Sequence, residues 1–271
     1  MKHVYMTISN EGSSTKSTTA KYIKEMLMRR GLKHKTYLCD KDHTELIDTY
    51  GDEVQYFNIR DDHEALINIL GDDVEHIIVD FPASSLDELY KVFKNMQAFV
   101  QTFMMFGAIP YFVLPVISDK SMLSINRLGS LLSGVAAPTR KVYVLAEGAM
   151  KNQGEVHEAF SKNESANAQY EDGSATVVTL KTIFTPNFAQ IVKKEKLREF
   201  LTKKGATPMN LALMHQLTRE TDSQFASALG LEIIDDRTEM EKGLKIDTTT
   251  IARGKNVEPL HYKDEAPSKK K

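Results

Sequence analysis

The chain has 271 residues, 41% of them hydrophobic, and a formal net charge of −2. That length supports a full core, in one α/β domain with additions or in two small domains, and the near-neutral charge excludes a global electrostatic signature of nucleic-acid binding. A single cysteine, Cys39, excludes an intrachain disulfide framework and a Cys-rich zinc site, and its place in an apolar run reads as a buried structural thiol.

In chain order, 4–9 reads as a first strand and 17–30 as a helix, with Ala20, Ile23, Leu27 and Met28 near one face and Gly31 as its C′ residue. A second strand, 36–39, runs into Asp40-Lys41-Asp42, and 54–59 reads as a third. Asp61 or Asp62 then caps a helix that Gly71 stops. The run 75–80 is the clearest buried strand and ends in Asp80, as suits a central parallel strand. One long helical stretch follows over 86–106, then a strand over 111–117 and a helix capped by Ser121 and ended by Gly134. A strand at 141–145, a short helix at 155–160, a final strand at 175–183, a basic amphipathic helix at 188–204 and a helix at 210–229 complete the pattern. Strands alternating with helices predict an α/β fold with a mainly parallel sheet flanked by helices. Residues 1–234 are expected to form that domain, and 235–271 a flexible charged tail ending in Ser268-Lys269-Lys270-Lys271. No apolar stretch reaches the ~20 residues of a membrane span, and Lys2 and His3 lead straight into a strand rather than a leader, so a cytoplasmic protein is expected.

The chemistry concentrates between the first strand and the first helix, in Ser9-Asn10-Glu11-Gly12-Ser13-Ser14-Thr15-Lys16-Ser17-Thr18. A strand, a loop of small residues and a Lys-Ser pair opening a helix are the context of a phosphate-binding loop. Free backbone N–H groups and the helix dipole gather anionic oxygens there. Lys16 would reach the outer phosphates, and the Ser17 hydroxyl would ligate Mg²⁺. Asn10 and Thr15 stand where the usual pattern has glycine; Asn tolerates left-handed backbone, but a β-branched Thr does not do so freely. The plainer alternative is a polar turn capping a helix through Ser14, Thr15 or Ser17.

Asp40, Asp42 and Asp80 all follow predicted strands, at the sheet edge where such folds bind ligands. Asp80 can hold a Mg²⁺-bound water beside the loop, or simply cap the next turn. Asp40 and Asp42 can orient water or bind magnesium through water, or form a solvated acidic turn. The basic helix carries Lys193, Lys194, Lys196, Arg198, Lys203 and Lys204, but Glu195 and Glu199 interrupt it, which favours a solvated face over a nucleic-acid or lipid contact. No HxxxH or HExxH spacing occurs, so a histidine metal site is not expected, and His3 reads as structural.

With these residues assembled, the chain resembles the ParA/MinD group of deviant P-loop ATPases, and its spacing is similar to the TraL/StbB-like proteins of conjugative plasmids. The resemblance rests on the loop 10–18, on Leu38-Cys39-Asp40-Lys41-Asp42, and on Ile77-Ile78-Val79-Asp80-Phe81-Pro82-Ala83-Ser84-Ser85. It implies a Rossmann-like P-loop NTPase fold that binds ATP and Mg²⁺. Asn10, Glu11, Gly12, Ser13, Ser14, Thr15, Lys16, Ser17 and Thr18 would surround the nucleotide, and Ser17, Asp80 and Asp42 would face the metal. Asp40 and Lys16 would carry any catalysis. It further implies an ATP-dependent switch in plasmid or mobile-element maintenance, partition or conjugative transfer. Its partners would be a protein bound to DNA and, in a nucleotide-dependent homodimer, a second copy, with direct DNA contact weak. The group's signature lysine is replaced by Glu11, a carboxylate that would repel a triphosphate it faced. Slow hydrolysis, a binding-only switch and a non-catalytic scaffold that works through protein contacts therefore all stay open.

Overall fold

The computed structural model describes residues 1–11, 15–40, 44–59, 62, 64–93, 95–146, 155–180, 196, 199 and 208–232, with the backbone alone at 208–211, 213, 214 and 217. All lie in a compact unit, Met1–Ile233. The expected tail, most of the basic helix and the loop residues Gly12, Ser13, Ser14 and Asp42 lie outside the described residues.

Seven parallel strands form one sheet in the order β3-β2-β4-β1-β5-β6-β7. They are β1 (Lys2–Thr7), β2 (His34–Leu38), β3 (Val54–Tyr56), β4 (His76–Asp80), β5 (Ala108–Val116), β6 (Arg140–Ala146) and β7 (Ala175–Leu180). The expected α/β architecture with a parallel sheet is what the chain adopts. After β1 the chain winds to one side of the sheet, and after β4 to the other. The carboxyl end of β1, between β4 and β5, is therefore the switch point where such sheets open a ligand crevice.

Period-two alternation sends Val4, Met6, Ile77, Val79, Phe112 and Leu114 to one face and Tyr5, Ile78, Tyr111 and Val113 to the other. The first face is covered by α3 (Ala65–Asn68), α4 (Ser85–Phe93), α5 (Met96–Met105), α6 (Asp119–Leu132), α7 (Glu155–Lys162) and α8 (Glu164–Glu171). The second is covered by α1 (Lys16–Arg29), α2 (Glu45–Tyr50) and α9 (Pro208–Ala228). Arg29 of α1 binds the Asp222 carboxylate of α9 through two nitrogens, tying those helices together.

Several local expectations hold and others are corrected. Asp62 supports the start of α3, its carboxylate accepting from the Ala65 N–H at 2.9 Å, although the N-cap position itself is Glu64. The expected long helix over 86–106 is two helices, because Asn95 turns extended and caps α5 from its side chain, accepting from Ala98 N–H at 3.2 Å. Such a cap is worth about 1 kcal/mol and outweighs the apolar periodicity that runs across the break. Helices α2 and α8 are additions that the sequence pattern did not reveal. Both are short, and α8 is capped by Asn163. Pro110 and Pro115 lie inside β5, an interior strand, where a missing N–H is normally excluded. The register explains them: β6 pairing begins at Tyr111, and β1 pairing ends at Val113, so each proline sits where β5 has one strand neighbour. Lys196, the one described basic residue of the segment 188–204, pairs with Glu53 at 2.9 Å over the Tyr50 ring.

Candidate functional site

The predicted site residues that can be placed converge at the carboxyl ends of β1, β2 and β4. Thr7 and Asp80 stand opposite one another in register. Asp80 is fully buried, and both its oxygens are occupied: Thr7 Oγ1 donates to Oδ1 at 2.7 Å and Ser17 Oγ to Oδ2 at 2.6 Å. Burial pushes the carboxyl up to about 6, and the bonds from Ser17 and Thr7, with the Lys16 charge, oppose that rise. Thr7 was not singled out from the sequence. Its only signal was its register opposite the strand-ending Asp80, which pairing alone reveals.

Lys16 is buried at the first position of α1. Burial lowers its pKa, while the charges of Asp80, Asp40 and Glu11 act in the opposite direction. Its ammonium donates to the Glu11 carbonyl at 3.3 Å. Asp40 is buried just past β2, and the preceding Cys39 N–H donates to the Asp80 carbonyl at 2.8 Å, which brings the two acidic strand ends side by side. Cys39 is buried, as expected, and burial with the neighbouring carboxylates pushes its thiol well up.

Thr15 precedes α1 with φ 60° and ψ 20°, a left-handed conformation. That is the geometry for which glycine is suited, and it costs a β-branched residue about 1–2 kcal/mol. Its hydroxyl oxygen is buried and has no hydrogen-bond partner. Of the three residues proposed as caps, Thr15 makes no side-chain cap and Ser17 is committed to Asp80, while Ser14 lies outside the described residues. Thr15 therefore combines a strained backbone with an unsatisfied buried hydroxyl beside Lys16.

The front of the loop is bolted to its surroundings. Ser9 N–H donates to Ser85 Oγ at 3.1 Å. The Asn10 side chain accepts from Leu86 N–H and donates to Asp87, both at 3.2 Å. The Glu11 carboxylate is held by two serine hydroxyls. Ser118 Oγ donates to one of its oxygens at 2.9 Å and Ser121 Oγ to the other at 2.7 Å. Ser121 was expected to cap α6; it lies inside the helix, accepting from Ile117 N–H while holding Glu11.

A metal would meet hard oxygen donors here, Ser17 Oγ and the buried Asp80 carboxylate. Such donors suit Mg²⁺, which keeps much of its water and is completed by phosphate oxygens. Among the described residues no group of three or more His, Cys, Asp or Glu side chains could hold a metal by itself.

No protein-family model matches the chain, and no curated protein matches it. Similar solved structures are remote. The MinC:MinD cell division complex of Aquifex aeolicus aligns with 10% identity and a TM-score of 0.44, covering 88% of this chain and 99% of that one. A nucleotide-binding protein in complex with ADP from Archaeoglobus fulgidus aligns with 9% identity and a TM-score of 0.40 over 70% and 85%. A putative plasmid partition protein of Borrelia burgdorferi bound to AMPPNP aligns with 10% identity and a TM-score of 0.39 over 81% and 97%. At these scores and identities the likenesses carry no functional inference.

Proposed function

We propose that the chain is a Mg²⁺-dependent ATP-binding switch or slow ATPase on a P-loop-like site. The observation that carries this reading is the fully buried Asp80, hydrogen-bonded to Ser17 one residue after the buried Lys16, at the sheet's switch point. A capping turn has no need to bury a carboxylate against a helix-opening Ser, whereas a phosphate-and-metal site does.

In this reading the start of α1 and the Lys16 ammonium take the phosphates, and Lys16 leaves the Glu11 carbonyl to do so. Ser17 and Asp80 would hold Mg²⁺, which supplies charge neutralisation to the phosphate oxygens when bound. Thr7 fixes the Asp80 carboxylate in the required rotamer. Asp40, buried beside Asp80, would orient the attacking water if hydrolysis occurs. Asp42 as a further metal-facing acid, and Asn10 through Thr18 as the loop around the nucleotide, are parts of the same proposal.

By resemblance, the biological setting would be ParA/MinD-like work in plasmid or mobile-element partition, maintenance or conjugative transfer. The switch would act on a DNA-bound protein partner and through a nucleotide-dependent homodimer. A domain ending near residue 234 and a separate tail belong to this reading too. Among the described residues no helix is long and apolar enough to cross a membrane. The strained Thr15 favours a second reading, a non-catalytic scaffold that keeps the fold.

The deciding experiment is a titration with fluorescent ATP and Mg²⁺, comparing the wild type with Lys16→Ala. Binding by the wild type and none by the variant establishes the phosphate site. No binding by either at near-millimolar nucleotide, about −4 kcal/mol, sinks the ATP reading in favour of the scaffold.

A further inference from the structure

Ser118 at the N-cap of α6, and Ser121 and Ser124 three residues apart on the helix itself, all reach the loop after β1. All three bond to two consecutive loop residues. Ser118 and Ser121 donate to the two Glu11 carboxylate oxygens at 2.9 and 2.7 Å. Ser124 Oγ accepts from Asn10 N–H at 3.2 Å. Ser121 and Ser124 are almost wholly shielded from water, while Ser118 and Glu11 are half-buried, and two hydroxyl donors on one carboxylate make charge-assisted bonds. The Glu11 carboxylate also lies at the N-terminal end of a 14-residue helix, whose dipole favours it. The same residue's N–H donates to Ser9 Oγ, and its carbonyl accepts from Lys16.

We propose that Glu11 is a positioning residue: it latches the phosphate loop to α6 through the Ser118 and Ser121 hydroxyls, so that phosphate binding at Lys16 and the position of α6 are coupled within one protomer. In this role the Glu11 carboxylate acts through the loop, by its hold on the two serines. When Lys16 swings from the Glu11 carbonyl to a phosphate, the residue it leaves is the one tied to α6, and the helix registers the change. This extends the proposed phosphate site and rests on it for the ligand, but the latch itself exists without nucleotide.

The test uses the full chain and the variants Ser118→Ala/Ser121→Ala and Ser118→Thr/Ser121→Thr, with far-UV circular dichroism as a check that each is folded. Fluorescent ATP with Mg²⁺ gives the affinity, and hydrogen exchange by mass spectrometry reads 9–11 and 117–125 with and without nucleotide. The alanine pair should bind about tenfold more weakly, a fraction of what two hydroxyl bonds to a charged group are worth, because the latch is only coupled to the phosphate site. Its 9–11 amides should exchange faster, and nucleotide should no longer alter exchange in 117–125. The threonine pair, which keeps both hydroxyls, should restore wild-type behaviour. Glu11→Gln should mimic the alanine pair and add nothing in its background. Affinity within twofold of wild type, with exchange at 9–11 unchanged, overturns the latch. If the wild type binds no ATP, the phosphate reading fails separately, and exchange at 9–11 in the nucleotide-free alanine pair decides the latch alone: faster supports it, unchanged overturns it.

Discussion

Three imidazoles stand in one row at the amino end of the sheet, and their burial bears on how stability changes with acid. His34, His76 and His3 are in register across β2, β4 and β1. The His3 and His76 rings lie 5.4 Å apart, and Tyr5 Oη pairs with His76 Nδ1 at 2.9 Å. His34 has Lys24 Nζ at 3.5 Å from its Nε2. Burial lowers the pKa of all three. For His76 burial comes first, then the charges of His3, His34 and the chain amino terminus, with Glu75 opposing, and the result is about 4 against an ordinary 6.5. The unfolded chain therefore takes up a proton near pH 6.5 while the folded chain refuses it until about pH 4, so stability is unaffected at pH 7.5 and falls as pH drops through that window. At pH 4.5 the loss from His76 is about 2–3 kcal/mol, two pH units at 1.36 kcal/mol each. His76→Gln cannot protonate and can still bond Tyr5. Urea unfolding followed by circular dichroism between pH 7.5 and 4.5 should show a fall shallower by about 2 kcal/mol in the variant. Parallel curves for the two proteins would mean that His76 protonates readily in the fold, and the desolvation argument would be wrong.

Other expectations concern the site and its support. Thr15→Gly relieves a left-handed φ of 60° and removes an unpartnered buried hydroxyl. Against glycine's added backbone entropy it should stabilise the nucleotide-free chain by about 1 kcal/mol, read as a melting temperature raised by about 2–3 °C; a lower melting temperature would show that the loop is not strained. Asp80→Asn should abolish the Mg²⁺ dependence of ATP binding while leaving the nucleotide-free protein at least as stable at pH 7.5, because burial already disfavours the carboxylate. ATP titrations with magnesium or EDTA, beside urea unfolding, check both halves. Gln169 Oε1 accepts from Tyr143 Oη at 2.7 Å and from Lys141 Nζ at 2.8 Å between α8 and β6. Gln169→Leu should cost about 2 kcal/mol by stranding a buried hydroxyl, and an unchanged urea midpoint would refute that.

What the sequence alone determined is whatever depends on neighbours along the chain. Periodicity gave the strands, and the alternation with helices gave the parallel α/β sheet, because both are local hydrophobic patterns. The spacing of Lys16, Ser17, Asp40 and Asp80 against strand ends predicted their convergence, because all strands of a parallel sheet expose their carboxyl ends on one edge. The break at Asn95 was present as a capping residue but was masked by an apolar run that spans it. Only tertiary structure decided what a polar side chain faces. For Glu11 the sequence shows its place in the loop but not the Ser118 and Ser121 hydroxyls, more than a hundred residues away, that hold its carboxylate. Thr7 likewise became part of the site only through strand register. Hydrogen-bond partners at such separations are fixed by packing, and a carboxylate's role follows from the donors that packing brings to it.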